Sequence, residues 1–298
     1  VQTANARGLM HGHALTVPAS PSLPAVRELM AGSDLVIAAG TEFGPTDYDM
    51  YDDGGFVVPP SLVRIDIDAA QLARRPASVS IEADCTAALE ALLARLPANI
   101  APAPEEGAAW AKMARQAAFA GLDAAMRGQI GVVETIREAL PGAIIVGDST
   151  QPVYAANLYY DHDRPGGWFN AATGFGALGY GPPAAIGAAL AVPDVPVVCL
   201  SGDGGFQFTL PEIGAALDAG APVIFVVWNN RGYREIETSM RAVGVEPVGV
   251  SPAPPDFPKL AEAYGIPAQR LAGTQGLGSA LARARVSGKP SLVEISVE

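Results

Sequence analysis

Three continuous apolar runs constrain this chain most: Ala143-Ile144-Ile145-Val146, Val195-Pro196-Val197-Val198-Cys199-Leu200 and Val223-Ile224-Phe225-Val226-Val227-Trp228. None alternates apolar with polar residues, so each predicts a strand covered on both faces, as in a parallel sheet between two helix layers. The first hundred residues share the βα rhythm. Leu23 to Met30 predicts a helix, Asp34 to Gly40 and Leu62 to Asp68 predict strands, and Asp84 caps a helix whose Ala88, Leu92 and Leu96 share a face. A helix over Gln275 to Arg285 and a strand over Ser291 to Val297 end the pattern. The proline-rich stretch from Leu96 to Glu106 can sustain neither helix nor central strand and predicts a linker. The expected fold is α/β, two parallel-sheet domains with helices on both faces: a partial Rossmann-like domain over 1–98, a linker over 99–112 and a second domain over 113–298.

Charge and patterning exclude several classes of partner. A formal charge of −12 repels a phosphate backbone, so no nucleic-acid partner is expected. No apolar stretch approaches the ~18 residues of a membrane span, and the N-terminus lacks a basic-then-apolar signal pattern. A cytoplasmic protein with no membrane partner is the expectation. Cys85 and Cys199 lie far apart and are expected as reduced, buried thiols, with one long-range disulfide as the alternative.

Two of the apolar runs end in polar clusters. The first gives Gly202-Asp203-Gly204-Gly205, followed by an expected helix from Phe206 to Ala219 with Leu210, Ile213 and Leu217 at helical spacing. The second gives Asn229-Asn230-Arg231-Gly232-Tyr233. A parallel sheet brings both to its carboxyl edge, where open α/β folds bind ligands. There the Asp203 carboxylate, the Asn230 amide oxygen and the Gly232 carbonyl offer three hard oxygens to Mg²⁺. Two diphosphate oxygens and one water would complete the octahedron. The Gly204 and Gly205 amides, at a helix entry, suit a phosphate.

Twenty-four residues, Gly205 to Trp228, separate Gly-Asp-Gly from Asn-Asn. With that spacing, Gly202 to Tyr233 resembles the thiamine-diphosphate motif of the enzyme family containing acetolactate synthases and 2-oxo acid decarboxylases. Gly174-Phe175-Gly176-Ala177-Leu178-Gly179-Tyr180-Gly181 is similar to the family stretch that holds the aminopyrimidine. The resemblance implies that Leu178 wedges the cofactor into a V and that the Gly176 carbonyl meets its 4′-amino group. It also implies that Thr150 and Gln151, in Asp148-Ser149-Thr150-Gln151, donate near the diphosphate, with Gly202 and Tyr233 beside them. The V brings the 4′-imino nitrogen to the thiazolium C2 proton, and the resulting ylide attacks a 2-oxo acid and releases carbon dioxide.

By the same resemblance, the chain begins inside the family's middle domain and runs through its diphosphate-binding domain. The pyrimidine domain, with its activating glutamate, would lie elsewhere in a longer protein. The expectation is a truncated chain that binds Mg²⁺–thiamine diphosphate weakly and does not turn over alone, the complete enzyme being a homodimer or homotetramer. FAD is not expected, because the loop Gly40 to Tyr48 lacks the arginine of FAD-binding relatives. The stretch Ala6 to Met50 resembles 5-guanidino-2-oxopentanoate decarboxylases, which implies a small 2-oxo acid substrate with a cationic tail. Glu235 and Glu237, then Asp161 and Asp163, are candidates to receive that tail, with solvated surface acids as the alternative.

His162 is a candidate proton-transfer residue, or simply an exposed histidine. Arg231 and Arg234 either attract a substrate carboxylate or form surface salt bridges, and His11 with His13 lacks a third metal ligand. The rival within the family is an acetolactate-synthase-like carboligase. Rivals of another class are a nucleotide-binding protein, reading Gly174 to Gly179 as a loose dinucleotide loop, and a non-catalytic regulatory protein.

Overall fold

A computed structural model describes residues 1–50, 53–97 and 105–297. The chain divides into two compact units, Val1–Thr3 with Gly12–Leu122 and Ala4–His11 with Asp123–Glu298.

The first unit is built on a parallel sheet of β1 (Val36–Ala39), β2 (Leu62–Asp66) and β3 (Val79–Glu82) in the order β1-β2-β3. Its helices are α1 (Pro24–Ala31), α2 (Pro45–Tyr48), α3 (Ala69–Ala73), α4 (Cys85–Leu93) and α5 (Glu105–Ala120). Asp84 caps α4 through the Ala87 amide at 3.0 Å. No residue of α4 is buried, and Leu92 and Leu96, on its expected inner face, are exposed. Residues 105–112, within the expected linker, form the first half of α5, while 98–104 lie outside the described residues.

In the second unit α6 (Ala124–Ala139) leads to β4 (Ile144–Gly147), α7 (Gln151–Leu158), β5 (Trp168–Asn170) and α8 (Gly181–Ala191). Then follow β6 (Val197–Gly202), α9 (Asp203–Phe208), α10 (Glu212–Asp218), β7 (Ile224–Asn229) and α11 (Arg234–Ala242). The chain continues through α12 (Phe257–Ala263), β8 (Ala268–Ala272), α13 (Leu277–Ser287) and β9 (Ser291–Ser296). All six strands are parallel, in the order β5-β4-β6-β7-β9-β8. β4, β6 and β7 are buried at every position. Their alternate side chains feed two cores, one around Ile145, Leu200 and Val226, the other around Val146, Cys199 and Phe225. This explains the unbroken apolar runs.

The helix expected from Phe206 to Ala219 is instead two. α9 begins at Asp203 and stops at Phe208, and Pro211, which has no amide hydrogen to donate, stands between it and α10. Cys85 and Cys199 are both free thiols, Cys199 buried and Cys85 only half-buried. Among the described residues no helix is long and apolar enough to cross a membrane.

Candidate active site

The carboxyl ends of β4, β6 and β7 open into a cavity of about 300 Å³. Thr150, Gln151, Gly176, Leu178, Gly202, Asp203, Gly204, Gly205, Asn230, Gly232 and Tyr233, the expected cofactor residues, all border it, and so does Glu235. Ser149, Tyr154, Arg234 and Ile236 complete the lining. Tyr154 and Ile236 are not among the sequence candidates, and Ser149 enters only as part of the Asp148–Gln151 loop; Tyr154 stands one helical turn beyond Thr150, a readable spacing. Gly204 must be glycine, because a Cβ there would lie 2.4 Å from the Tyr233 ring.

One corner of the cavity is a cluster of oxygens. An Asn230 side-chain atom lies 2.8 Å from the Gly232 carbonyl oxygen and 3.2 Å from Asp203 Oδ1. Hydrogen bonding identifies that atom. The other end of the amide lies 2.9 Å from Gln151 Oε1, and Gln151 Oε1 already accepts the Trp228 indole N–H at 3.2 Å. An acceptor there needs Asn230 Nδ2 as its second donor, so Asn230 Oδ1 faces the corner. Turning the amide would give the corner a donor but set two oxygens together at Gln151. Three acceptors thus converge at spacings close to the edge, about 3.0 Å, of an octahedron whose metal–oxygen bonds are about 2.1 Å. The other Asp203 oxygen, Oδ2, is buried without a partner. Burial pushes the Asp203 carboxyl above its ordinary range, against the amides that face it, including those of Gly204, Asn230 and Gly232. A small hard cation would answer both the convergence and the unpartnered oxygen. Among the described residues no three His, Cys, Asp or Glu side chains cluster to hold a metal. This corner differs in kind, with one carboxylate supported by an amide and a backbone carbonyl.

Asp148 holds the loop that carries Leu178. The buried carboxylate accepts from the amides of Ser149 at 2.7 Å, Gly179 at 2.9 Å and Gly181 at 3.1 Å. Burial raises its pKa against those amides. The half-buried Leu178 side chain is thereby held beside Gly205. The Gly176 carbonyl accepts from Ser149 Oγ at 3.2 Å and keeps a second lone pair.

His162 does not join this site. It is fully buried at the amino end of β4, its Nδ1 2.8 Å from Tyr160 Oη and its Nε2 3.0 Å from the Ala143 carbonyl. Burial lowers its pKa. Neither expectation, a proton-transfer residue at the site nor an exposed histidine, holds, because Tyr160 and Trp168 carry this segment into the core. Asp161 and Asp163 go with it, Asp161 pairing with His11 at 2.8 Å and Asp163 accepting the Gly142 amide at 2.9 Å. Glu237 is engaged by Arg234 and Arg241, which hold its carboxyl below the ordinary range. Arg234 also donates to the Asn230 carbonyl at 3.1 Å, and exposed Arg231 adopts a left-handed φ of 60°. His13 accepts the Leu15 amide at 3.2 Å.

The thiamine pyrophosphate enzyme C-terminal TPP binding domain matches residues 147–295, and the thiamine pyrophosphate enzyme central domain matches residues 1–92. A Pseudomonas aeruginosa protein named "Probable 2-ketoarginine decarboxylase AruI" is 37% identical over 80% of this chain and 42% of its own length. The Escherichia coli acetolactate synthase isozyme 3 large subunit is 31% identical over 79% of the chain and 42% of its own length. A benzoylformate decarboxylase of P. aeruginosa is 28% identical over 93% and 51%. The solved thiamine diphosphate-dependent 4-hydroxybenzoylformate decarboxylase of Rhodococcus jostii RHA1 superposes with a TM-score of 0.71 at 26% identity, over 94% of this chain and 53% of that one. The chain thus spans about half or less of the length of these relatives. Matches that cover both units, and a cavity built where the C-terminal domain matches, have one conclusion: this chain belongs to the thiamine-pyrophosphate-dependent enzyme family.

Proposed function

We propose that this chain carries the Mg²⁺ and thiamine diphosphate site of a 2-oxo acid decarboxylase. The corner of converging oxygens supports this reading most directly, because the separations of Asn230 from Gly232 and Asp203 are compatible with ligands of one Mg²⁺. Thr150 and Gln151 are the diphosphate donors, with the Gly204 and Gly205 amides. Leu178, fixed through Asp148, presents the apolar wedge, and the Gly176 carbonyl accepts from the aminopyrimidine. These residues would hold thiamine diphosphate, whose thiazolium ring would supply the electron sink for the carbon–carbon bond broken when a 2-oxo acid loses carbon dioxide.

The substrate we propose is 5-guanidino-2-oxopentanoate, with Glu235 at the cavity wall receiving its guanidinium. The 37% identical relative, named for a 2-ketoarginine decarboxylase, supports this choice. FAD has no part in the reading, since the loop Gly40 to Tyr48 lacks the arginine of FAD-binding relatives. The complete protein would be a cytoplasmic homodimer or homotetramer.

Calorimetry of the complete gene product with thiamine diphosphate, with and without Mg²⁺, tests the site. Metal-dependent binding is expected, and binding of NAD instead would overturn the reading. Product analysis with 5-guanidino-2-oxopentanoate and with pyruvate tests the reaction. An aldehyde alone is expected, whereas a condensed hydroxy acid would assign the protein to the carboligases, as the acetolactate synthase relatives allow.

A further inference from the structure

The first asparagine of the Asn-Asn pair does not line the cavity. The Asn229 side chain turns into the sheet, 5% exposed, and donates through Nδ2 to Glu294 Oε1 at 2.7 Å. Its Oδ1 accepts the Arg231 amide at 3.1 Å. Glu294, on β9 and 1% exposed, accepts on its other oxygen from Arg270 Nε of β8 at 2.7 Å. Arg270 is anchored in turn by Asp256 at 2.8 Å. One hydrogen-bonded chain therefore crosses three strands and ends on the backbone of the loop whose Gly232 carbonyl faces Asn230.

That loop needs holding. Arg231 sits at a φ of 60°, which costs a non-glycine residue about 1 kcal/mol or more. On the far side, the Tyr233 amide is tied to the Val250 carbonyl at 2.8 Å. Gly232 passes so close to Val250 that a Cβ would lie 2.6 Å from its oxygen. The Arg270–Glu294 pair, in which Glu294 is buried but Arg270 is 46% exposed, is weak as a source of stability, since desolvation of the carboxylate offsets most of a solvent-screened attraction. A geometric role accounts for a carboxylate at this position.

We infer that Glu294 is a positioning residue for the metal corner: held by Arg270, it orients Asn229, which pins Arg231 and so sets the Gly232 carbonyl against Asn230 and Asp203. This rests on the Mg²⁺–thiamine diphosphate reading of the cavity. Partners one bond removed from a metal's ligands commonly govern affinity by about 10–100-fold.

Mn²⁺, which accepts the same oxygen ligands as Mg²⁺, gives a readout independent of turnover. The complete gene product, saturated with thiamine diphosphate, is titrated with Mn²⁺ while free ion is followed by electron paramagnetic resonance. Glu294→Ala and Asn229→Ala are each expected to weaken Mn²⁺ binding by about tenfold or more. Glu294→Gln, which keeps an acceptor for Asn229, should stay within about threefold of wild type, so rescue by the isostere separates geometry from charge. Asn229→Ala leaves the Arg270–Glu294 pair in place and provides the measurement if Glu294→Ala does not fold. Wild-type Mn²⁺ affinity in Asn229→Ala, or in a folded Glu294→Ala, would overturn the inference while leaving the cavity reading intact. A wild-type protein that binds no Mn²⁺ in the presence of thiamine diphosphate would overturn both.

Discussion

Buried polar clusters sit at both ends of the six-stranded sheet, and their central groups, His162 and Asp203, are wired in opposite ways. At the amino end His162 has a partner on each ring nitrogen, Tyr160 on one and the Ala143 carbonyl on the other. At the carboxyl end Asp203 keeps a buried oxygen without a partner while three oxygens face one another. Burial opposes the charged form in both, pushing His162 down and Asp203 up. The amino-end ring is finished by the protein itself, and such a group stabilises. The carboxyl-end corner is the one we propose a bound metal finishes.

The strongest way to break this comparison is to remove the unfinished group. Asp203→Ala should weaken metal-dependent thiamine diphosphate binding by more than about 100-fold, beyond the cost of losing an outer partner. His162→Gln should leave that affinity unchanged. Calorimetry on both variants checks the pair, and comparable losses in the two would erase the distinction.

The converse substitution asks about stability. His162→Ala strands the Tyr160 hydroxyl and the Ala143 carbonyl and opens a cavity, so a loss of about 2–3 kcal/mol is expected in urea unfolding. The Mg²⁺ affinity of the folded variant should not change. A shift in metal affinity of tenfold or more would show that the two ends are coupled.

Burial explains why one cluster was legible in sequence and the other was not. β4, β6 and β7 announced themselves because both their faces are covered, and the residues that follow β6 and β7 carry the proposed metal corner. β3, β5 and β8 left no such signal, since each lies at a sheet edge and β3 and β8 are largely exposed. The Asp203 and Asn230 corner depends on two short motifs with a fixed spacing. His162 offered only a histidine between acids, and its burial is decided by the packing of Tyr160 on Trp168. The Arg270–Glu294–Asn229 chain is invisible in one dimension because strand register alone sets it.

Acid should separate the two ends further. A histidine whose folded pKa lies below its unfolded value, about 6.5, contributes stability that is present above that pH and lost as pH falls through it. Burial is the main cause, helped by Arg137 and His11, while Asp163 and the hydrogen bond to the Ala143 carbonyl oppose the shift. Between about pH 8 and pH 5.5 the wild type should therefore lose more unfolding free energy than a folded His162→Gln variant. The excess slope is bounded by about 1.4 kcal/mol per pH unit for one proton. Parallel stability profiles would mean that His162 does not resist protonation.

The smallest expected effect is also the sharpest, because its sign is opposite. Asp203 has its folded pKa raised by burial, so its contribution to stability is present below the unfolded value and lost as pH rises through the folded one. At neutral pH, without metal, a charged and half-partnered carboxylate is then a cost to the fold. Asp203→Asn keeps the shape and removes the charge, so the metal-free variant should be more stable than wild type by about 1 kcal/mol near pH 7. The gain should vanish below about pH 4, where the wild-type carboxyl is itself neutral. Saturating Mg²⁺ and thiamine diphosphate should reverse the order, since only the wild type gains the linkage stabilisation of a bound metal. Thermal unfolding at the two pH values, with and without the cofactors, reads all of these signs. A metal-free Asp203→Asn protein less stable than wild type at neutral pH would mean that the corner is finished after all, and that the two ends of the sheet are alike.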